Sequence, residues 1–315
     1  MSYPLAYPPA SSRSPSDASR QAGFGSTRPV TDLPSGSSSL LFRYGRGGVA
    51  MSGPRVGRAD ARVIRRRLSE RDMAILCQVT ELRLMSGRQI EAVHFPSELH
   101  ATAATAARHC RRVLARLVDA RLLVRLPRQV GGVRAGAEGF TYGLGPIGHR
   151  ILNQDGSRLR VHEPGNGFVD HQLAVSQLVV ELTRASRIGQ LELLTVLGEP
   201  ACWRTVPAIG RSVLRPDLFL VVAAEELEFR WFVEIDRDTH RGPALLRKAR
   251  LYESYYQSGV EQAAHRVFPR VAWITPDAER SERLERLFDR SEFSHGLMTV
   301  TSLDDAIDTL AGDAP

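Results

Sequence analysis

Apolar residues recur every three or four positions in some stretches of this chain and every second position in others, and the changes of period mark out its elements. Met73, Ile75, Leu76, Val79 and Leu82 predict a helix over residues 69–83, with Ser69 as N-cap and Asp72 as its partner three residues on. Ser86 caps a shorter second helix carrying Ile90, Val93 and Phe95, and Pro96 ends it because the residue before a proline is pushed out of the helical region. A third helix over 101–120 turns Val113, Leu114, Leu117 and Val118 inward. Two strand-like runs, 122–126 and 140–144, flank a loop of glycine and arginine over 129–139, and Pro146 opens a closing helix through Leu152. Three helices followed by a hairpin with a long tip is the order of a winged helix-turn-helix. In that arrangement the third helix enters the major groove and the tip reaches a phosphate or the minor groove.

The second half alternates strands with helices. The periods predict a helix over 171–185, strands at 191–197, 215–223 and 228–235, and a helix over 244–257. A buried strand at 271–274, a charged helix over 279–290, a strand at 297–300 and a helix over 303–310 complete it. The sum is an α/β domain with a mixed sheet flanked by helices. Residues 1–60 are rich in Ser, Pro and Gly, with too few apolar side chains to offset the entropy of ordering, and read as a disordered tail. Met51 near its end is a second candidate start. The expected organisation is thus a tail over 1–60, a winged helix over 61–155 and the α/β domain over 165–315.

Charge sharpens this division. Residues 1–150 carry a net +13 and residues 151–315 a net −6, so the halves suit different partners and the first suits a polyanion. On the third helix Arg108, Arg112 and Arg116 share one face, Arg111 lies beside them, and only Asp119 interrupts the basic surface. Arg128 and Arg134 lie in or beside the hairpin tip, and Arg62, Arg65, Arg66 and Arg67 form a basic run before the first predicted helix. These are the expected contacts to double-stranded DNA; a second copy of the chain, in a homodimer, is a further expected partner. Cys77, Cys110 and Cys202 lack metal-ligand spacing and read as reduced core thiols. No stretch is long and apolar enough to span a bilayer, which with the thiols places the protein in the cytoplasm, away from membranes.

Candidate chemistry lies in the acidic half. Strand alternation sends Phe232, Glu234 and Asp236 to one face and Trp231, Val233 and Ile235 to the other. A two-residue turn at Glu225-Glu226 would set Asp217 directly across from Glu234, with Cβ atoms roughly 5 Å apart; a one-residue change in the turn would undo that alignment. Two carboxylates so placed suit Mg²⁺ or Mn²⁺ as hard oxygen ligands. Lys248 is the only lysine in the chain, against 41 arginines. Its spacing with Leu245, Tyr252 and Tyr255 puts it on the inward stripe of its helix, where an ammonium needs an anionic partner. Two explanations stand for this group: a catalytic set of Asp217, Glu234, Asp236 and Lys248, or a buried ion-pair network tying helix to sheet.

Arg215-Pro216-Asp217, Phe232-Val233-Glu234-Ile235-Asp236-Arg237 and Leu246-Arg247-Lys248 through Tyr252, following a winged helix, resemble the replication-relaxation family of actinobacterial plasmids and mobile elements. That resemblance implies a DNA-binding protein associated with plasmid replication and DNA relaxation. The second half also resembles the PD-(D/E)xK nuclease fold, whose first acid matches Asp217 and second matches Glu234, implying metal-dependent nicking of DNA. The lysine expected two residues after the second acid is here Asp236, so Lys248 would have to supply the ammonium from its helix. The competing class is a regulator or replication accessory factor with a degenerate nuclease-like domain. No phosphate-binding GxxxxGK[ST] loop and no GxSxG elbow occurs. His171, at the start of its predicted helix, reads as a cap or core residue, and Tyr252, Tyr255 and Tyr256 as core aromatics.

Overall fold

The structure, a computed structural model, describes residues 57–126, 140–152, 165–207, 212–239 and 241–312. Residues 1–56 of the tail expected over 1–60, with Met51, and the hairpin tip with Arg128 and Arg134, lie outside the described residues, whereas residues 58–60 belong to a helix.

Ser69 caps α2 (Glu70–Glu81) as its spacing predicts: its hydroxyl accepts from the Asp72 N–H at 3.2 Å, and the Asp72 carboxylate accepts from the Ser69 N–H at 3.0 Å. Ser86 and Gln89 form the same reciprocal cap on α3 (Gly87–His94). The third helix, α4 (Ala103–Asp119), is capped by Thr102. The runs after it form β2 (Leu123–Arg125) and β3 (Thr141–Leu144), and Pro146 is the first residue of α5 (Pro146–Leu152). Two elements differ from expectation. Helical order begins well before Ser69: the basic run is α1 (Arg58–Arg67), which buries Ala61 and packs Ile64 on the core while Arg62, Arg66 and Arg67 stay exposed. A short strand, β1 (Leu84–Ser86), joins α2 to α3 and pairs with β3, giving an antiparallel sheet of order β1-β3-β2.

The second half opens with α6 (Asn166–Arg187), five residues longer at its start than the periodicity indicates. The strands β4 (Glu192–Gly198), β7 (Leu218–Ala224), β8 (Leu227–Ile235), β9 (Arg270–Thr275) and β10 (Met298–Ser302) form one mixed sheet of order β10-β9-β8-β7-β4. β8, β9 and β10 run parallel; β7 is antiparallel to β8 and β4. A small hairpin, β5 (Arg204–Val206) with β6 (Ser212–Leu214), and a short α8 (Val260–His265) were not legible in the sequence. The remaining helices are α7 (Gly242–Gln257), α9 (Ala278–Asp289) and α10 (Ala306–Leu310). Among the described residues no helix is long and apolar enough to cross a membrane.

The alternation of β8 distributes its side chains to two cores. Trp231 and Val233 face α6 and α10, where the Trp231 indole N–H donates to the Leu310 carbonyl at 3.0 Å. Phe232 faces α7 and α9, packed on Tyr252, Tyr255 and Phe268. Truncating a ring so enclosed typically costs about 3–5 kcal/mol.

The first of these cores does not stop at the sheet. Ile75, Leu76, Ile90, Leu114 and Leu117 from the N-terminal helices form one continuous apolar cluster with Leu178 and Leu182 of α6 and with the sheet residues Leu218, Leu220 and Val222. Polar bonds stitch the same seam: Ser176 Oγ donates to the Leu84 carbonyl at 2.6 Å, and Gln89 Nε2 to that of Leu173 at 2.8 Å. Gly198 marks the tightest approach, since a Cβ there would lie 2.2 Å from the Glu81 carbonyl oxygen.

Candidate functional site

A two-residue connection at Glu225 and Glu226 joins β7 to β8, with Glu225 at a positive φ of 54°. The resulting register pairs Leu218 with Val233 and Ala224 with Leu227, the alignment that brings Asp217 opposite Glu234. The Asp217 N–H donates to the Val233 carbonyl at 3.0 Å, extending the pairing one residue past β7. Both carboxylates are buried on the face covered by α7.

Lys248, one turn before Tyr252 on the inward stripe of α7, donates from Nζ to Glu234 Oε2, and the Tyr252 hydroxyl donates to Glu234 Oε1 at 2.6 Å. From the other side of the strand ends α6 contributes His171, whose Nε2 lies 3.1 Å from Asp217 Oδ1; Asp217 Oδ2 accepts from the Ile235 N–H at 2.8 Å. Just beyond, Arg83 pairs with Glu199 and stacks on Phe168, and Arg237 pairs with Asp170 at 3.5 Å. Of the four expected catalytic residues the structure therefore brings together Asp217, Glu234 and Lys248. Asp236 is taken elsewhere: Arg280 of α9 donates to its Oδ2 at 2.6 Å, and its Oδ1 accepts from the Asp238 N–H at 3.0 Å.

The electrostatics follow from this packing. Burial works against the charge of Asp217, but the His171 hydrogen bond, Lys248 and the Ile235 N–H outweigh it and hold the carboxyl below its usual range. Burial pushes Glu234 up to about 7, with Lys248 pulling back and the neighbouring Asp217 charge adding to the rise. Lys248 is opposed by burial yet held above its ordinary value by Glu234 and Asp217, so it stays an ammonium. His171 is likewise opposed by burial and raised by Asp217. The Tyr252 phenol is raised by burial and by Glu234, which keeps it protonated and rules out a nucleophilic tyrosinate at neutral pH.

A divalent ion is poorly matched to this arrangement. All four oxygens of Asp217 and Glu234 already accept hydrogen bonds, one of them from an ammonium and one facing an imidazole that gains charge, so an incoming dication meets positive charge at the acids. Among the described residues no group of three or more His, Cys, Asp or Glu side chains is placed to hold a metal. His171, Tyr252, Glu199 and Arg83 belong to the site but were not singled out for it in the sequence. Tyr252 had a signal, its four-residue spacing from Lys248; His171, 46 residues before Asp217, had none.

A second candidate surface is α4. Ala106, Cys110, Val113, Leu114 and Leu117 are buried, and Arg108, Arg111 and Arg112 project into solvent with no ion pair to a described residue. Arg116 differs, since its guanidinium is committed to the buried Asp72 of α2 at 2.6 Å. Exposed arginines on α1 and Arg88 on α3 add to the positive charge of this half.

No curated protein and no solved structure matches this chain. The family described as Replication-relaxation matches residues 76–271, which runs from α2 through the α4 surface and the Asp217, Glu234 and Lys248 cluster to the start of β9. Well over half of the chain lies within that match, and the protein belongs to the replication-relaxation family.

Proposed function

We propose that this protein is a DNA-binding factor acting in replication and relaxation of a plasmid or mobile element, and that its N-terminal half is a winged helix docking α4 in the major groove of duplex DNA. The observation that carries the reading is the α4 surface: Arg108, Arg111 and Arg112 are exposed, unpaired among the described residues, and opposite the apolar face that anchors the helix. The β1-β3-β2 sheet, whose β2 and β3 follow that helix, supports the same arrangement, as does membership of the family. Arg116 also lies on this face, but its charge is partly balanced by Asp72, so it adds less to the positive surface than the other three.

In the C-terminal half the same reading takes the Asp217, Glu234, Lys248 and His171 cluster as a charge-matched network that fixes α6 and α7 on the sheet, without hydrolysis. The test has two parts. Arg108→Ala, Arg111→Ala and Arg112→Ala together should weaken duplex binding and flatten its salt dependence by about 0.9 in log K per log salt for each phosphate no longer neutralised. Supercoiled plasmid incubated with the protein and Mg²⁺ or Mn²⁺ should stay uncut. Metal-dependent nicking that disappears in Asp217→Asn would replace the network reading with a hydrolytic one, in which Asp217 and Glu234 hold the ion and Lys248 positions water or offsets charge.

A further inference from the structure

We infer that the mouth of the Asp217 and Glu234 cluster is a metal-free binding site for the phosphodiester backbone of duplex DNA, a second DNA-binding surface separate from α4. The charges are layered: acids lie inside and cations outside. The side chains of Asp217 and Glu234 are 8% and 4% exposed, whereas those of His171 and Lys248, which lean on them, are 30% and 33% exposed. A ligand approaching from solvent therefore meets the ammonium and the imidazole before either carboxylate.

The more open acids nearby, Glu199 and Asp170, are each matched by an arginine, Arg83 and Arg237. Among the described residues that pairing leaves no nearby carboxylate for Arg215 and Arg241. Both are exposed, and neither forms an ion pair with a described residue. Arg215 precedes Asp217 by two residues, which keeps it beside the acid along the chain, and it stacks on Trp203 at 4.7 Å. Arg241, the N-cap of α7, precedes Lys248 by seven residues, at the end of the helix that carries the lysine.

The mouth is thus net positive within a half-chain of net −6. An ammonium also has three N–H donors, and among the described residues one of those on Lys248 is used. The remaining two, together with two guanidinium forks, are donors suited to phosphate oxygens. A dication would be repelled by the same groups, while a polyanion is drawn to them.

The experiment measures binding of the full-length chain to a duplex of arbitrary sequence as a function of salt, with EDTA present. Arg215→Ala with Arg241→Ala, both on the surface, should leave thermal stability unchanged and reduce the slope of log K against log salt by about 0.9 for each phosphate they neutralise in the parent. Lys248→Gln should reduce it further. These reductions should add to those from the α4 arginines, so failure of the α4 reading and failure of this one are separable: each set of substitutions reports on its own surface. An unchanged slope in Arg215→Ala with Arg241→Ala overturns the proposal, as does a reduction seen only when Mg²⁺ is supplied. Inorganic phosphate serves as the control probe. Thermal stabilisation by phosphate that Lys248→Gln abolishes, without any change in the DNA slope, would mean that the mouth takes a free anion and would also overturn the assignment to DNA.

Discussion

Lys248 illustrates how one side chain is fixed from several directions. It lies on the buried stripe of α7 because Leu245, Tyr252 and Tyr255 hold that stripe against the sheet, and there it meets Glu234. Lys248→Met should destabilise the protein toward the low end of the about 3–5 kcal/mol typical of breaking a buried pair, since a third of the lysine is open to water. Adding Glu234→Gln removes the stranded charge and should recover much of that loss, as read by urea denaturation of the single and double variants. His94 sets a pH dependence of opposite origin. Its Nε2 lies 2.6 Å from Gln78 Oε1, and burial, with Arg187 and Arg71 nearby, pushes it down to about 3. The unfolded chain therefore takes up this proton first, and stability falls by up to about 1.4 kcal/mol per pH unit as pH drops from about 6.5 toward 3. Glu234, raised to about 7, works the other way: the folded state takes up its proton first and gains stability as pH drops from about 7 to 4.5. His171 and Glu199 are raised as well and share that sign. In His94→Gln the opposing effect is gone, so stability measured between pH 7 and 4.5 should rise on acidification more steeply than in the parent.

At the scale of elements the governing feature is how closely the halves approach. Gly198 ends β4 against the end of α2, and Gly198→Ala would push a methyl into the Glu81 carbonyl, for an expected loss of about 1–3 kcal/mol in denaturant titrations. Elements also differ in how far sequence reveals them. α2 and α3 were legible to within a residue or two because Ser69 with Asp72 and Ser86 with Gln89 are local signals that need no tertiary partner. The register of β7 on β8 was legible because a two-residue turn and a strict pleat leave one alignment, and with it came Asp217 opposite Glu234. By contrast, β1 is three residues, Leu-Met-Ser, that are extended only because β3 pairs with them. α1 was hidden by its arginines: two apolar side chains, Ala61 and Ile64, carry its packing, too few to establish a period. His171 reaches the site through the fold alone, and Arg116 shows the converse, a helical face that is basic by spacing yet partly spent on an internal partner.

On the scale of the whole molecule, one apolar cluster runs from Ala61 through α6 to Ala311. Its consequence is cooperative unfolding. All three tryptophans, Trp203, Trp231 and Trp273, lie in the second half, whereas α1 through α5 lie in the first. Tryptophan fluorescence and far-ultraviolet circular dichroism should therefore give coincident urea transitions, and a helical signal lost well before the fluorescence change would show that the halves melt separately. The polar stitches at Ser176, Gln89 and Arg83 add geometric constraint to this apolar seam.

On the proposed reading of two DNA-binding surfaces, the shared seam also makes the protein a caliper. With α6 clamped between the N-terminal helices and the sheet, the span from the α4 arginines to the mouth near Lys248 is set by folded structure and not by a tether. Two stretches of duplex gripped at those points would be held at one separation and one rotational phase. Because B-DNA turns once in about 10.5 base pairs, lengthening the DNA between the two gripped stretches by about five would swing the second one to the far side of the helix, while a full turn would restore it. On that reading the protein would respond to the winding of a bound duplex as well as to its presence.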